Sequence, residues 1–335
     1  MILVTGANGF LGSHLLRALS DSGTSVRALY HRKEPSAEMR SWPGVSWEQA
    51  DLLDIFRADE VMEGISEVYH CAAIVSFNPD RRAEMIHANE TSTAHVVDAA
   101  LQAGVRKLVH ISSVAALGRD GTKKVIDEEA QWEESTINSG YGHSKYAAEM
   151  EVWRGIGEGL DAVILNPGII LGAPLQPEGW DDGSAKMMQT AAKEFPFYTD
   201  GCTSFVDIRD VVNAAIQLME SDISAERFIL SAGNIPFREI FNEMAAALEK
   251  RPPSRHAGAF ATGLVWRWES LKARFSGKHP LITRETARNA QSKSFYNNEK
   301  LLKVLPGFSY TPIPESIRDM AKVFRRDHAE QFPKG

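Results

Sequence analysis

The segment Val4-Thr5-Gly6-Ala7-Asn8-Gly9-Phe10-Leu11-Gly12 constrains this chain more than any other. A short apolar run over 2–5 leads into three glycines spaced three apart, and Leu11, Leu15 and Leu19 then recur with helical period. A strand that turns sharply into a helix is the first half of a βαβ unit, and the same alternation continues downstream. Further strands are expected over 25–30, 45–50, 67–70, 107–112 and 162–166, with helical segments between them such as the one carrying Val96, Val97, Ala100 and Leu101. The expected fold class is α/β, a Rossmann-type doubly wound parallel sheet with a smaller, mostly helical C-terminal lobe.

Regularity fails after Asn166. Pro167, Gly168, Gly172, Pro174, Pro177, Gly179 and Gly183 fall within 17 residues, which breaks regular elements and suggests an irregular, site-forming region. The segment 206–219 then has helical period, 227–230 reads as a late strand, and 237–248, 260–275 and 317–324 read as helices of the smaller lobe. For 335 residues, about two domains are expected. We assign 1–166 to dinucleotide binding, with 205–230 returning to that domain, and 167–204 with 231–335 to a substrate-binding lobe.

Composition excludes several classes of function. Hydrophobic residues at 43% and charged residues at 24% are ordinary for a globular chain. Thirty-seven Lys and Arg against 44 Asp and Glu leave a net charge of -7, so neither nucleic acid nor an anionic membrane is an expected partner. Only two cysteines occur, Cys71 and Cys202, each in an apolar stretch, which argues for inert core thiols in a reducing compartment. Met1 runs straight into an apolar tetrad with no basic leader, and no apolar run approaches the roughly 18 residues of a membrane span. A cytoplasmic location is expected.

The glycine turn has a chemical reading. Gly6 allows the tight turn, Gly9 lets the backbone approach a pyrophosphate, and Gly12 lets the helix pack closely, while the helix N-terminus offers N–H groups to phosphate. Gly6, Asn8, Gly9, Phe10, Leu11 and Gly12 are therefore expected cofactor contacts. An acid at the end of the second strand would select NAD by meeting the ribose hydroxyls. Here that strand ends in Tyr30-His31-Arg32-Lys33, and His31, Arg32 and Lys33 suit a 2'-phosphate, so NADP(H) is preferred with NAD(H) as the alternative. Asp51 and Leu52 follow the third strand on the cofactor side, with Asp51 towards the adenine amino group; a helix-capping role for Asp51 or Asp54 is the competing reading.

A second motif, Tyr141-Gly142-His143-Ser144-Lys145, sets a phenol and an ammonium one helical turn apart. A nearby ammonium stabilises phenolate, so Lys145 is expected to lower the Tyr141 pKa towards working pH. Ser112 and Ser113 end the strand at 107–112, at the carboxyl edge where α/β sites form. Ser, Tyr and Lys together suit hydride transfer at a carbonyl.

With these segments in order, the chain resembles an extended short-chain dehydrogenase/reductase of the NAD-dependent epimerase/dehydratase superfamily. The resemblance also rests on His70-Cys71-Ala72-Ala73, Asn89 with Ala99-Ala100, Asn166-Pro167-Gly168 with Gly172, and Phe205-Val206-Asp207 with Arg209-Asp210-Val211. It implies that Tyr141 is the acid-base residue, that Lys145 lowers its pKa while bonding the nicotinamide ribose, and that Ser113, five residues before Gly118, orients the substrate oxygen. It also implies that Ala72 and Ala73 line the cofactor, with Ser112 counted among the cofactor residues. Asn89 would support the nicotinamide end, and Pro167 and Gly168 would pass beside the ring. Asp207 and Asp210 are read as structural, and His70, His110 and His143 as structural histidines, with no metal site expected.

Within the superfamily, 4,6-dehydratases carry Asp and Glu after the active hydroxyl, where this chain has Val114 and Ala115. Sugar-nucleotide epimerases usually carry an arginine before the segment matching Phe205, where this chain has Cys202-Thr203-Ser204, although Arg209, Arg238 or Arg284 could compensate. The chain thus looks like the dihydroflavonol-reductase and 3β-hydroxysteroid-dehydrogenase side, which transfers hydride between NADP(H) and a small-molecule ketone, aldehyde or secondary alcohol. Phe195, Phe197, Tyr198, Phe260, Trp266 and Trp268 are candidate pocket aromatics, with a core role as the competing reading. A nucleotide-sugar epimerase and a non-catalytic NADP-sensing regulator are the alternatives. A homodimer through helices matching 83–103 and 139–155 is implied by resemblance alone.

Overall fold

β-Branched and aliphatic residues in unbroken runs form strands that are buried on both faces, which is what a parallel sheet requires. The computed structural model describes residues 1–118, 125–133, 138–258, 263, 266 and 284–332. Seven parallel strands make the main sheet: β1 (Ile2–Thr5), β2 (Val26–Tyr30), β3 (Val45–Gln49), β4 (Glu67–His70), β5 (Lys107–Ile111), β6 (Ala162–Pro167) and, after three strands that lie elsewhere, β10 (Glu226–Leu230). Every residue of β5 and β6 is buried. The spatial order is β10-β6-β5-β4-β1-β2-β3, so the winding direction reverses between β1 and β4. A crevice opens past the carboxyl ends of strands at such a reversal.

Alternate residues of one strand serve opposite cores. Leu3 packs with Val61 of α3 (Ile55–Met62), Val97 of α4 (Arg82–Ala103) and Val152 of α5 (Gly140–Gly157). Its neighbour Val4 packs with Leu15 and Leu16 of α1 (Phe10–Asp21) and with Val211 and Leu218 of α7 (Ile208–Glu220). A third core belongs to the smaller lobe and gathers Trp180, Met188, Phe205, Ile240, Met244, Ile317 and Phe324. It joins α6 (Lys186–Ala192), α8 (Phe237–Ala247) and the helix Ile313–Asp327.

Four details differ from the expectations. The segment 206–219 is not helical from its start, because Val206 and Asp207 close a strand, β9 (Cys202–Asp207), and Asp207 caps α7 by accepting the Arg209 N–H. β9 does not return to the main sheet: it pairs parallel with β7 (Ile169–Leu171) and antiparallel with β11 (Gly233–Pro236), leaving α7 and β10 to rejoin it. The proline- and glycine-rich stretch holds β7 and short 3-10 turns. The helix expected over 317–324 belongs to a longer one, Ile313–Asp327, while most of the segment 260–275, including Phe260 and Trp268, lies outside the described residues. Among the described residues, no helix is long and apolar enough to cross a membrane.

Candidate active site

The glycine turn lies at the reversal of the sheet. Gly6 has a φ of +62°, and a Cβ there would meet the Ala72 backbone at 2.8 Å, so the turn and the segment after β4 lie in contact. Helix α1 starts after Gly9 with no side-chain cap and no acid in its first turn. Its first N–H groups and the positive end of its dipole therefore remain for an anion. This cradle fits the pyrophosphate of a dinucleotide.

The basic turn adjoins it. Asn8 Nδ2 donates to the carbonyl of Lys33, which ties the glycine turn to the end of β2. His31, Arg32 and Lys33 are exposed there, and His31 Nε2 lies 3.5 Å from the Asp51 carboxylate. Asp54, not Asp51, caps α3, accepting the N–H of Phe56 at 3.0 Å. Asp51 accepts the N–H of Leu53 and remains half exposed beside His31, and the Leu52 carbonyl is held by His95 Nδ1.

Buried hydrogen bonds fix the walls of the crevice. Thr5 Oγ1 accepts the Ala72 N–H and lies 2.8 Å from His70 Nδ1, while His70 Nε2 lies 3.0 Å from Thr93 Oγ1. Thr93 donates to the Asn89 carbonyl, so it accepts from His70, and the ring is neutral with its proton on Nε2. Asn89 grips both backbone groups of Ile74, at 2.7 and 2.9 Å, and donates to Ser144 of α5. It thereby fixes the Ala72–Ala73 segment relative to the helix that carries Tyr141. Across the crevice, Gly168 donates its N–H to Leu230, and a Cβ at Gly168 would lie 2.0 Å from Ser204 Oγ, so the Pro167-Gly168 segment packs directly on β9.

Tyr141, in the first turn of α5, lies beside Ser113, whose hydroxyl acts on its phenol. Ser113 Oγ also accepts the Ala115 N–H. Lys145, one turn further along α5, is buried and donates to the Ile111 carbonyl at 2.9 Å. Burial lowers its pKa to about 8, opposed by Cys71 and Glu149. Burial pushes the Tyr141 phenol above its ordinary value, and the Ser113 hydroxyl acts the other way. The net direction is opposite to the lowering expected for this phenol. Desolvation of the phenolate dominates, and the ammonium is engaged by a strand-end carbonyl. Cys71, next to Lys145, is a thiol pushed up to about 12 by burial, and Cys202 is raised too, as inert thiols would be.

Ser112, expected at the cofactor, directs its hydroxyl into a buried contact with α5. Its hydroxyl donates to Glu149 of α5 at 2.7 Å. Two residues at the site escaped the sequence reading. Glu149 stands four residues after Lys145, a spacing that could have marked it. Phe77, whose ring centroid lies 5.8 Å from that of Tyr141, comes from the connection after β4 and carries no motif. Of the aromatics proposed for the pocket, Phe195 and Phe197 are exposed and pack on each other, and Tyr198 has Arg238 over its ring at 4.3 Å. Trp266 is half-buried.

Comparison with known proteins converges on the same reading. The family model described as NAD dependent epimerase/dehydratase family matches residues 2–230. Cinnamoyl-CoA reductase 2 of Medicago truncatula is 25% identical over 338 residues, covering 96% of this chain and 90% of its own. Sterol demethylase protein B of Methylococcus capsulatus is 32% identical over 246 residues, 71% of each chain. The crystal structure of gox2253 superposes with a TM-score of 0.80 at 28% identity, covering 98% of both chains. The chain belongs to the NAD dependent epimerase/dehydratase family, as an NAD(P)-dependent oxidoreductase of the extended short-chain type.

Proposed function

We propose that this protein is an NADP(H)-dependent reductase of a small-molecule ketone or aldehyde, or the dehydrogenase of the corresponding secondary alcohol, with Tyr141 as its acid-base residue. The observation that carries this reading is the placement of Tyr141 beside Ser113 with Lys145 one turn away, all at the carboxyl edge of the sheet beside the glycine turn. The glycine turn and the start of α1 hold the pyrophosphate, Asp51 and Leu52 the adenine end, and Ala72, Ala73, Asn89, Pro167 and Gly168 enclose the nicotinamide end. When bound, the nicotinamide supplies hydride to the carbonyl carbon. Tyr141 Oη gives its proton to the substrate oxygen, Ser113 Oγ donates a hydrogen bond that orients that oxygen, and the Lys145 ammonium stabilises the phenolate left behind. A phenol kept protonated by burial is the form that reduction needs. Residues 1–166 with α7 and β10 serve the cofactor, and the smaller lobe serves the substrate.

NADP(H) is favoured because three exposed basic residues, His31, Arg32 and Lys33, end β2 with no acid among them. An apolar or aromatic substrate is favoured by Phe77, which is 40% exposed beside Tyr141. The epimerase reading is weakened by the engagement of its candidate cations. Arg209 pairs with Asp207 and Asp319, and Arg238 lies on Tyr198, while the side chain at 284 lies outside the described ones.

The test is to follow NADPH and NADH oxidation against a panel of ketones and aldehydes. Tyr141→Phe should lower kcat/KM by about 10²- to 10⁴-fold with little change in NADPH affinity. Turnover that survives this substitution, or interconversion of a sugar nucleotide without net NADPH consumption, would overturn the proposal. Wild-type turnover should also decline above about pH 8, as Lys145 loses the proton that makes it an ammonium.

A further inference from the structure

Beneath the serine edge lies a carboxylate that the mechanism above does not use. Glu149 is fully buried in α5, yet four donors reach it. Its Oε2 accepts from Ser112 Oγ at 2.7 Å and from Asn166 Nδ2 at 2.9 Å. Its Oε1 accepts from Arg227 Nη1 at 3.0 Å and from Trp153 Nε1 at 3.4 Å. Asn166 Nδ2 also donates to the Ser113 carbonyl at 3.0 Å. Arg227 in turn is held by the carbonyls of Glu128 and Ala130. A single carboxylate thus joins the ends of β5 and β6 and the start of β10 to the helix that bears Tyr141 and Lys145.

We infer that Glu149 is a positioning residue of the catalytic site: it clamps the Ser112–Ser113 edge and Asn166 onto α5, so that Ser113 is held opposite Tyr141, and it sets a negative charge one turn from Lys145. The inference rests on the reductase reading for the roles of Ser113 and Tyr141, but not for the clamp itself. A buried ion pair such as Glu149–Arg227 is costly to desolvate, and apolar residues of similar volume often stabilise a fold as well or better. Placement directly behind the reacting hydroxyls gives the pair a use beyond stability. An error of about 1 Å in the placement of reacting groups can cost about 10²-fold in rate. The charge also acts on Lys145, whose pKa Glu149 holds up against burial. Lys145 is faced from the sheet by His70, Cys71 and His110, of which the two histidines are neutral, and from its own helix by Glu149. Glu149 is thus the one carboxylate among these groups.

Two variants and two readouts test this. Glu149→Gln keeps the shape and loses the charge, and the pair Glu149→Leu with Arg227→Met replaces the buried ions by apolar volume. The expected result is a fall in kcat of about 10²-fold in both, with KM and NADPH affinity within about threefold of wild type. The second readout needs no substrate: with the lysines ¹³C-labelled at Cε, NMR titration should place Lys145 at lower pH in both variants than in the wild type. Full kcat in a folded Glu149→Gln protein, or recovery of kcat together with thermal stability in the apolar pair, would make Glu149 a stabilising residue only and overturn the inference. An unmoved Lys145 titration would overturn its electrostatic part. Should the wild type reduce no carbonyl compound at all, the reductase reading falls, and the Lys145 titration still decides whether Glu149 governs that ammonium.

Discussion

A methyl group at Gly12 would lie 2.2 Å from the Gly6 carbonyl oxygen, closer than any relaxed contact. That oxygen belongs to backbone and cannot swing aside, so the start of α1 would have to move away from the turn it closes. Gly12→Ala is therefore expected to weaken NADPH binding by at least about tenfold and to cost about 1 to 3 kcal/mol of stability. Fluorescence titration and urea unfolding measure the two, and wild-type affinity in a folded variant would refute the account. The spacing of Gly6, Gly9 and Gly12 was readable along the chain. The contact between Gly6 and Ala72 was not, because it joins residues far apart in sequence through the pairing of β1 with β4. Phe77 was hidden for the same reason: its position beside Tyr141 follows from where the connection after β4 meets the start of α5.

Helix ends separate two aspartates that the sequence alone left open. Asp54 caps α3 through the N–H groups of Phe56 and Arg57, whereas Asp51 is left half exposed beside His31. Asp54→Ala should cost about 1 kcal/mol in unfolding free energy and leave NADPH affinity unchanged. Asp51→Ala should do the converse, weakening binding with little effect on stability. Equal effects of the two substitutions on affinity would show that the capping assignment does not distinguish them. The start of α7 shows how a period can mislead. Val206 continues the apolar spacing of Val211 and Val212, but Asp207 takes up the Arg209 N–H and starts the helix only at Ile208. The apolar residue before the cap belongs to β9, whose partners β7 and β11 lie on both sides of it in sequence.

Folding of the whole domain depends on neutral histidines at its centre. His70 is fully buried, with a pKa lowered to about 3 by burial. His110, its ring centroid 5.2 Å from that of His70, is likewise lowered well below its ordinary value by burial, and neither of its ring nitrogens has a hydrogen-bond partner among the described residues. In the unfolded chain both rings take up protons as pH falls through about 6.5, while in the folded protein they stay neutral. The unfolded state then binds more protons, so stability is complete above about 6.5 and is lost as pH falls towards 3. Between pH 7 and 5 the loss should be about 2 kcal/mol for His70, with His110 adding to it in the same direction. Urea unfolding at the two pH values measures it, and an unchanged free energy would contradict the neutral pair.

By itself the sequence determined the alternation of strand and helix, the glycine turn, and the Tyr141–Lys145 pair, because each is local: a period, a spacing or a residue type acts within a few positions. Tertiary structure decided what no spacing records. The pairing of β1 with β4 brought the glycine turn against Ala72, and the end of β5 turned Ser113 to Tyr141 while turning Ser112 to Glu149. Ionisation belongs to the same level. The Tyr141 phenol is raised and the Lys145 ammonium lowered by the same removal of water, and how much water is removed depends on packing from β4, β5 and α5 together.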